Sequence, residues 1–317
     1  MNIGIFGMGG IGGYFGGKLT RLIKSGDANI YFIARGEHLA AIRENGLTLK
    51  TKDEGEYVCV PTLATDNPGK LPQLDICLIC VKQYALKSAV ASLLPAITEN
   101  TILVPLQNGI DAYSKIRSVT DKGTIFPACV YIVTHRTAPG TVEQSGGGCN
   151  IILGPDPKKP EIPGDETVRL LTGAGITCRW SERNLEEVWS KFMFVAPFSL
   201  VLTADDLTYG QVFESDRASG LIHGIIDEIF EISRAEGIKL PEDSKEAAFE
   251  KARNFPYGGK TSFQLDFSDP EKQDERETFG QAVIDLGRHY SVPTPVTDSV
   301  YRRLMSMSPK TNIIAQL

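Results

Sequence analysis

The stretch Asn2-Ile-Gly-Ile-Phe-Gly7-Met-Gly9-Gly-Ile-Gly12-Gly-Tyr-Phe-Gly-Gly17 decides how this chain is read. A short apolar run with Ile3, Ile5 and Phe6 leads into glycines at 7, 9 and 12, the GxGxxG spacing, and a helical pattern through Tyr14, Phe15, Leu19 and Leu22 follows. In a strand–turn–helix unit each glycine has a physical task. Gly7 permits a tight turn, Gly9 lets backbone approach a pyrophosphate, and Gly12 allows close helix–strand contact. The helix entered through Gly10 and Ile11 then offers unpaired N–H groups and a positive dipole end to the phosphates. A second strand, residues 30–34, lies where a dinucleotide-binding unit requires one.

The end of that second strand bears on which dinucleotide is bound. An acidic residue there accepts hydrogen bonds from the ribose hydroxyls of NAD, whereas an arginine accommodates the extra phosphate of NADP. The strand ends Tyr31-Phe-Ile-Ala-Arg35, with the cation where the acid would stand and Glu37 two residues on. Arginine's permanent charge and planar donor fork suit a phosphate, so the expected cofactor is NADP, as NADPH for a reduction.

Around this opening the first half alternates strand-like and helical stretches. Strands are expected at residues 3–6, 30–34, 58–60, 76–81, 102–106 and 125–134, and helices at 12–22, 38–45 and 85–94. Such alternation predicts parallel βαβ units with helices on both faces. Residues 141–144 and 150–153, separated by Ser145-Gly-Gly-Gly148, read as a hairpin or meander, and a last helix and strand fall at 168–171 and 176–180. Beyond about residue 182 the strand signal ends. Helices are expected at 184–204, 215–236, 241–254, 274–290 and 295–307, the last capped by Thr294 before Pro295. Pro197 removes a hydrogen bond from the first of these and is expected to kink it. The fold class is therefore an α/β Rossmann-type N-terminal domain, residues 1–180, with an all-helical C-terminal domain, residues 181–317.

Composition narrows the function classes. The 317 residues exceed the usual size of one domain, and 42% hydrophobic with 23% charged residues is ordinary for a globular chain. A net charge of -6 without a basic block argues against nucleic acid. The uncharged run at residues 1–17 is glycine-rich with no basic segment before it, which suits a nucleotide turn better than a signal peptide. The next apolar run, residues 192–204, is too short to span a bilayer. No membrane partner and a cytoplasmic location are expected. Cys77 and Cys80 form a CxxC inside an apolar strand and read as buried reduced thiols. No metal site is expected, since no second Cys/His pair stands at ligand spacing. His38, His135, His223 and His289 share no ligand spacing and read as structural or surface residues.

Several separated stretches, in order, resemble the ketopantoate reductase (2-dehydropantoate 2-reductase) family. They are the glycine-rich opening, Val81-Lys82-Gln-Tyr84, Pro105-Leu-Gln-Asn108-Gly109, Pro139-Gly-Thr-Val142, Val188-Trp-Ser-Lys191-Phe192 and Lys260-Thr-Ser262-Phe-Gln-Leu-Asp266. The resemblance runs over residues 1–305. It implies a Rossmann domain followed by a helical domain resembling that of 6-phosphogluconate dehydrogenase, with the site in the cleft between them. The implied reaction is reduction of the ketone of ketopantoate by NADPH, giving pantoate for pantothenate and coenzyme A synthesis.

Hydride transfer to a ketone leaves negative charge on oxygen, so the site needs a proton donor there. Lys191 is the candidate: by helical phase it edges an apolar stripe, where partial desolvation would make it a better acid, and the resemblance places the catalytic lysine in this Trp-x-Lys setting. The resemblance also implies that Lys82 meets cofactor and substrate, and that Asn108 touches both. It implies that Ser262 holds the substrate carboxylate, and that Asp274, with Glu275 adjacent, bonds the substrate hydroxyl and helps position the lysine. Val195 and Ser199 stand where the family carries asparagines. Ser199 keeps a hydroxyl and is retained as a substrate contact, while Val195 cannot hydrogen-bond. Gly259 replaces a further asparagine. These departures motivate a second reading, a paralogue reducing another branched 2-oxo acid. A third reading is a non-catalytic NADP-binding or sensing protein. The expected partner is a small-molecule 2-oxo acid, and the oligomeric state is left open, with a homodimer as the assembly considered.

Overall fold

The computed structural model describes residues 1–269 and 273–307. The chain divides into two compact units, one made of Met1–Gln107 with Asp111–Asn184, the other of Asn108–Ile110 with Leu185–Leu317.

The strands of the first unit are β1 (Asn2–Phe6), β2 (Asn29–Ile33), β3 (Leu47–Thr51), β4 (Gly55–Cys59), β5 (Leu63–Thr65), β6 (Ile76–Ile79), β7 (Ile102–Pro105), β8 (Thr124–Ile125), β9 (Ala128–Ala138), β10 (Thr141–Leu153) and β11 (Thr177–Trp180). Six of them form a sheet in the order β5-β2-β1-β6-β7-β8, every pair parallel, with Ile3 opposite both Ile30 and Ile76. β6 reads Ile-Cys-Leu-Ile and is buried throughout, which requires cover on both faces of the sheet. Because the strands run parallel, Gly7, Arg35, Lys82 and Gln107 all follow carboxyl ends, the edge at which open α/β sheets bind ligands.

The second sheet runs β11-β10-β3-β4, with β9 paired antiparallel to β10. The helix Gly10–Leu19 packs against strands of both sheets, and its glycines explain how. A Cβ on Gly16 would lie 3.1 Å from Phe32 of the first sheet, while one on Gly13 would lie 2.5 Å from Val142 and one on Gly17 3.0 Å from Leu49 of the second. Each helical glycine costs roughly 1 kcal/mol relative to alanine; here the cost is offset by the close approach of two sheets to one helix.

Residues 141–144 and 150–153 do not form a hairpin with each other. Both lie on β10, and Ser145-Gly-Gly-Gly148 is taken up as register shifts against β9. Glycines tolerate this because Gly147 adopts φ +83 with Ile132 Cα at 2.8 Å from where its Cβ would be. The turn is instead Pro139-Gly140, with Gly140 at φ +73. The stretch expected as one strand over 125–134 breaks at Phe126 and Pro127, and the Pro127 carbonyl accepts from Asn184 Nδ2 at 2.8 Å. β3 and β5 carry no sequence expectation.

The second unit is helical, with no strand among its described residues. Its central helix, Asn184–Asp205, continues through Pro197 for 22 residues. It is therefore longer than its thirteen-residue apolar run, and long and apolar enough to cross a membrane by length and composition, yet two-thirds of its apolar window is buried inside the protein. Phe194, Phe198, Tyr209 and Phe255 stack beside it. Thr294 does not cap the last helix, Pro295–Ser306, through its side chain. The buried carboxylate of Glu228, on the helix Asp216–Ala235, does that work by accepting from Val296 N at 2.6 Å and from Thr297 N at 2.9 Å. The helix expected over 274–290 begins after Asp274 and passes through a π turn at Glu277–Gln281.

Candidate active site

The glycine-rich turn meets the physical demands of a pyrophosphate. Gly7 sits at φ +97, and its N–H donates to Ile33 O at 3.0 Å, tying the turn to β2; a Cβ there would lie 2.9 Å from Val81 N. Gly9 precedes the first helix in an extended conformation without a side-chain cap, and a Cβ added to it would meet nothing within 4 Å. The opening turn at Gly10, Ile11 and Gly12 thus presents N–H donors to an unfilled space beside Gly9, a donor set that fits a dinucleotide pyrophosphate. Gly12 is different: its Cβ would fall 1.9 Å from Gly7 O, so it serves closure of the turn on itself, with Cys80 Cβ next at 3.0 Å. Gly10 is packed too, with Thr134 O 2.6 Å from its would-be Cβ.

Arg35 is exposed at the start of the helix Gly36–Asn45 and has no ion-pair partner among the described residues, so its guanidinium is available to a phosphate. Lys82 is half-buried and leads into the short turn Gln83–Ala85, its carbonyl accepting from Ala85 N at 2.9 Å. Cys77 and Cys80 are free thiols; burial pushes Cys77 up to about 12 and raises Cys80 as well, so neither is a thiolate near neutral pH. Among the described residues no group of three or more His, Cys, Asp or Glu is placed to hold a metal ion.

In the helical unit, Lys191 and Asn108 come together. Lys191 is half-buried on the helix Asn184–Asp205, with Trp189 and Phe192 buried on either side of it in sequence. Its Nζ donates to Asn108 Oδ1 at 2.8 Å, across 83 positions of sequence. Asn108 stands between Gln107, whose Nε2 donates to Ile79 O at 2.8 Å, and Gly109 at φ +111. The amide is used as an acceptor here, which leaves its Nδ2 donors for a ligand. An ammonium held beside an amide is a donor pair able to receive charge that develops on a carbonyl oxygen.

The other expected residues fare differently. The Asp274 carboxylate is bonded by Arg276, through Nε at 2.9 Å and Nη2 at 2.6 Å, and the Arg276 guanidinium stacks over Phe267. Its neighbour Glu275 is 4% exposed and opens the turn onto which Thr278 N and Phe279 N bond. Ser262 is exposed at the first position of the helix Ser262–Phe267, just after the Thr261 cap. Ser199 is 1% exposed, and Thr203 Oγ1 donates to its carbonyl, so it has almost no surface to offer a substrate. It packs the core of the unit. Val195 is half-buried.

Two residues escape the sequence reading. Arg276 carries no motif, and its grip on Asp274 appears only in the structure. His38, expected to be merely structural or exposed, is 5% exposed and accepts from Gly140 N while bonding Met8 O inside the glycine-rich turn. No spacing in the sequence joins residues 8, 38 and 140.

Comparison with known proteins identifies the family and the fold. The family model described as "Ketopantoate reductase PanE/ApbA" matches residues 3–158, and "Ketopantoate reductase PanE/ApbA C terminal" matches residues 184–308. The chain is 25% identical to a 2-dehydropantoate 2-reductase of Aquifex aeolicus over 292 residues, covering 87% of this chain and 91% of that one. A crystal structure of a PanE/ApbA family ketopantoate reductase from Ralstonia eutropha superposes with a TM-score of 0.86 at 26% identity, covering 96% of this chain and 97% of that chain. The fold is also that of a D-mandelate dehydrogenase solved with NADH and anilino(oxo)acetate, with a TM-score of 0.83 at 19% identity and 96% and 98% coverage.

Proposed function

Because the chain belongs to the ketopantoate reductase family of nicotinamide-dinucleotide oxidoreductases, we propose that it reduces ketopantoate (2-dehydropantoate) to pantoate with NADPH. The observation that carries this is the 2.8 Å bond between Lys191 Nζ and Asn108 Oδ1. Bound NADPH supplies the hydride. Gly9 and the N–H groups from Gly10 to Gly12 hold the pyrophosphate, and Arg35 receives the additional phosphate of NADP. Lys191 donates its proton to the ketone oxygen as that oxygen gains charge, and Asn108 holds the ammonium in place through Oδ1. Ser262, exposed at a helix start, accepts the role of carboxylate contact, and Lys82 lies at the cofactor edge of the sheet. Asp274, held by Arg276, and the adjacent Glu275 are the two carboxylates proposed for the substrate hydroxyl. The product enters pantothenate and coenzyme A synthesis. A cytoplasmic location is part of this proposal and suits a chain with no disulfide among its described residues.

The test is loss of NADPH absorbance with ketopantoate, run beside NADH and two unrelated 2-oxo acids. The expected outcome is a kcat/KM for ketopantoate at least about tenfold above the others. A second reading is favoured by Val195, which cannot hydrogen-bond, and by the burial of Ser199: a paralogue acting on a different branched 2-oxo acid. Comparable rates on ketopantoate and its apolar analogues decide for that reading.

Cofactor choice is checked separately. Arg35→Ala is expected to raise KM for NADPH about tenfold or more and to leave KM for NADH within about twofold, as expected when a charged hydrogen bond to phosphate is lost. Equal changes for both cofactors would remove the assignment to NADP.

A further inference from the structure

His38 joins two stretches that the sequence singles out for unrelated reasons. Its ring lies 5% exposed in the helix Gly36–Asn45, with Nε2 2.7 Å from Met8 O in the glycine-rich turn and Nδ1 2.9 Å from Gly140 N in the Pro139-Gly140 turn. A backbone N–H can only donate, so Gly140 obliges Nδ1 to accept, and the ring proton must then sit on Nε2 and point at Met8 O. Burial lowers the imidazole below its ordinary value, which keeps this neutral form in place at neutral pH. Gly140 reaches the ring by means of its positive φ, and a Cβ there would stand 2.9 Å from Ala41 Cβ.

The consequence follows from peptide geometry. The Met8–Gly9 peptide is trans and planar, so its carbonyl and the Gly9 N–H point in opposite directions. Fixing Met8 O on His38 fixes the Gly9 N–H on the opposite side. Gly9 itself cannot supply this restraint: it has no side chain, carries no cap and touches nothing on its open side. We propose that His38 is a positioning residue for dinucleotide binding, setting the Gly9 N–H toward the pyrophosphate through its Nε2–H bond to Met8 O, with the Pro139-Gly140 turn selecting the ring tautomer. The inference rests on the reading of the glycine-rich turn as the dinucleotide site. It gives the Pro139-Gly-Thr-Val142 stretch a task in cofactor binding.

Two substitutions separate positioning from packing. His38→Gln keeps a donor at the reach of Nε2, whereas His38→Asn keeps a polar atom at the reach of Nδ1 and loses the donor to Met8. NADPH fluorescence titrations are expected to give a Kd within about threefold of the original for His38→Gln and raised about tenfold or more for His38→Asn, with kcat at saturating NADPH unchanged in both. Equal Kd values for the two variants, or a loss in kcat matching that in Kd, overturn the proposal. Heteronuclear NMR of the His38 ring in the unaltered protein needs no variant to fold: Nε2 protonated and Nδ1 bare, with the Nε2–H resonance moving on NADPH addition, supports it, and a proton on Nδ1 sinks it. An unaltered chain that binds no NADPH overturns the dinucleotide reading itself.

Discussion

Lys191→Ala is expected to lower kcat by about 10²–10⁴-fold, the range over which a positioned proton donor acts, while the Kd for NADPH stays within about threefold. The asymmetry comes from where the residue sits. Its Nζ is bonded to Asn108 Oδ1, and Asn108 groups with the helical unit, whereas the glycine-rich turn and Arg35 belong to the other unit. Removing the ammonium takes away a proton donor and leaves the phosphate cradle with all of its own contacts. Lys191→Arg sharpens the test, because it restores the charge but offers a group that does not release its proton. Its kcat is expected to stay close to that of the alanine variant. Steady-state kinetics with a separate binding titration read both quantities. Parallel loss of kcat and NADPH affinity would make the residue structural.

The second large effect separates two glycines three positions apart. Gly9→Ala places a methyl where no protein atom lies within 4 Å, so Tm is expected to hold within about 2 °C while KM for NADPH rises about tenfold or more. Gly12→Ala drives a methyl to 1.9 Å from the Gly7 carbonyl oxygen, a contact that no rotamer relieves. The turn must open, and a loss of about 1–3 kcal/mol in stability is expected together with loss of nucleotide binding. Thermal melts with and without NADPH distinguish the two. A Gly9 variant that melts early, or a Gly12 variant that is fully stable, contradicts the roles assigned to them.

What the sequence discloses here is what local chemistry determines. The strand before Gly7, the helix after it and the parallel strands at 30–33, 76–79 and 102–105 follow from periods of two and 3.6 residues and from glycine placement, whereas residues 58–59 lie on β4, antiparallel to β3 in the second sheet. Lys191 and Asn108 each stand in a recognisable stretch, but the 2.8 Å bond between them is not readable from the sequence. Other expectations give way to partners that the sequence does not pair. Ser145-Gly-Gly-Gly148 looks like a turn, and only pairing with β9 shows it to be a distorted strand. Asp274 is singled out by the resemblance, but Arg276 two residues later takes its carboxylate. Thr294 had the right residue type for a cap, but a carboxylate from another helix occupies that position. For the glycine stretch and the cap a distant partner outweighed a local preference, whereas Asp274 is claimed by a neighbour two residues away. Gly13, Gly16 and Gly17 show the same effect in milder form: they look like part of the nucleotide turn, yet what they meet are the side chains of two sheets.

The Glu228 carboxylate has a bearing on how this protein can be shortened. It lies 8% exposed and reaches 68 positions along the chain to the first turn of the helix Pro295–Ser306, where Thr297 Oγ1 adds a third donor at 2.5 Å. A fragment ending before Pro295 would keep the anion and discard every one of those donors. A buried charge left in that state costs about 3–5 kcal/mol, a large share of the roughly 5–15 kcal/mol by which a domain is held folded. The last helix is thus a structural member and no dispensable tail, so trimming or fusion at this side of the molecule should begin beyond Ser306.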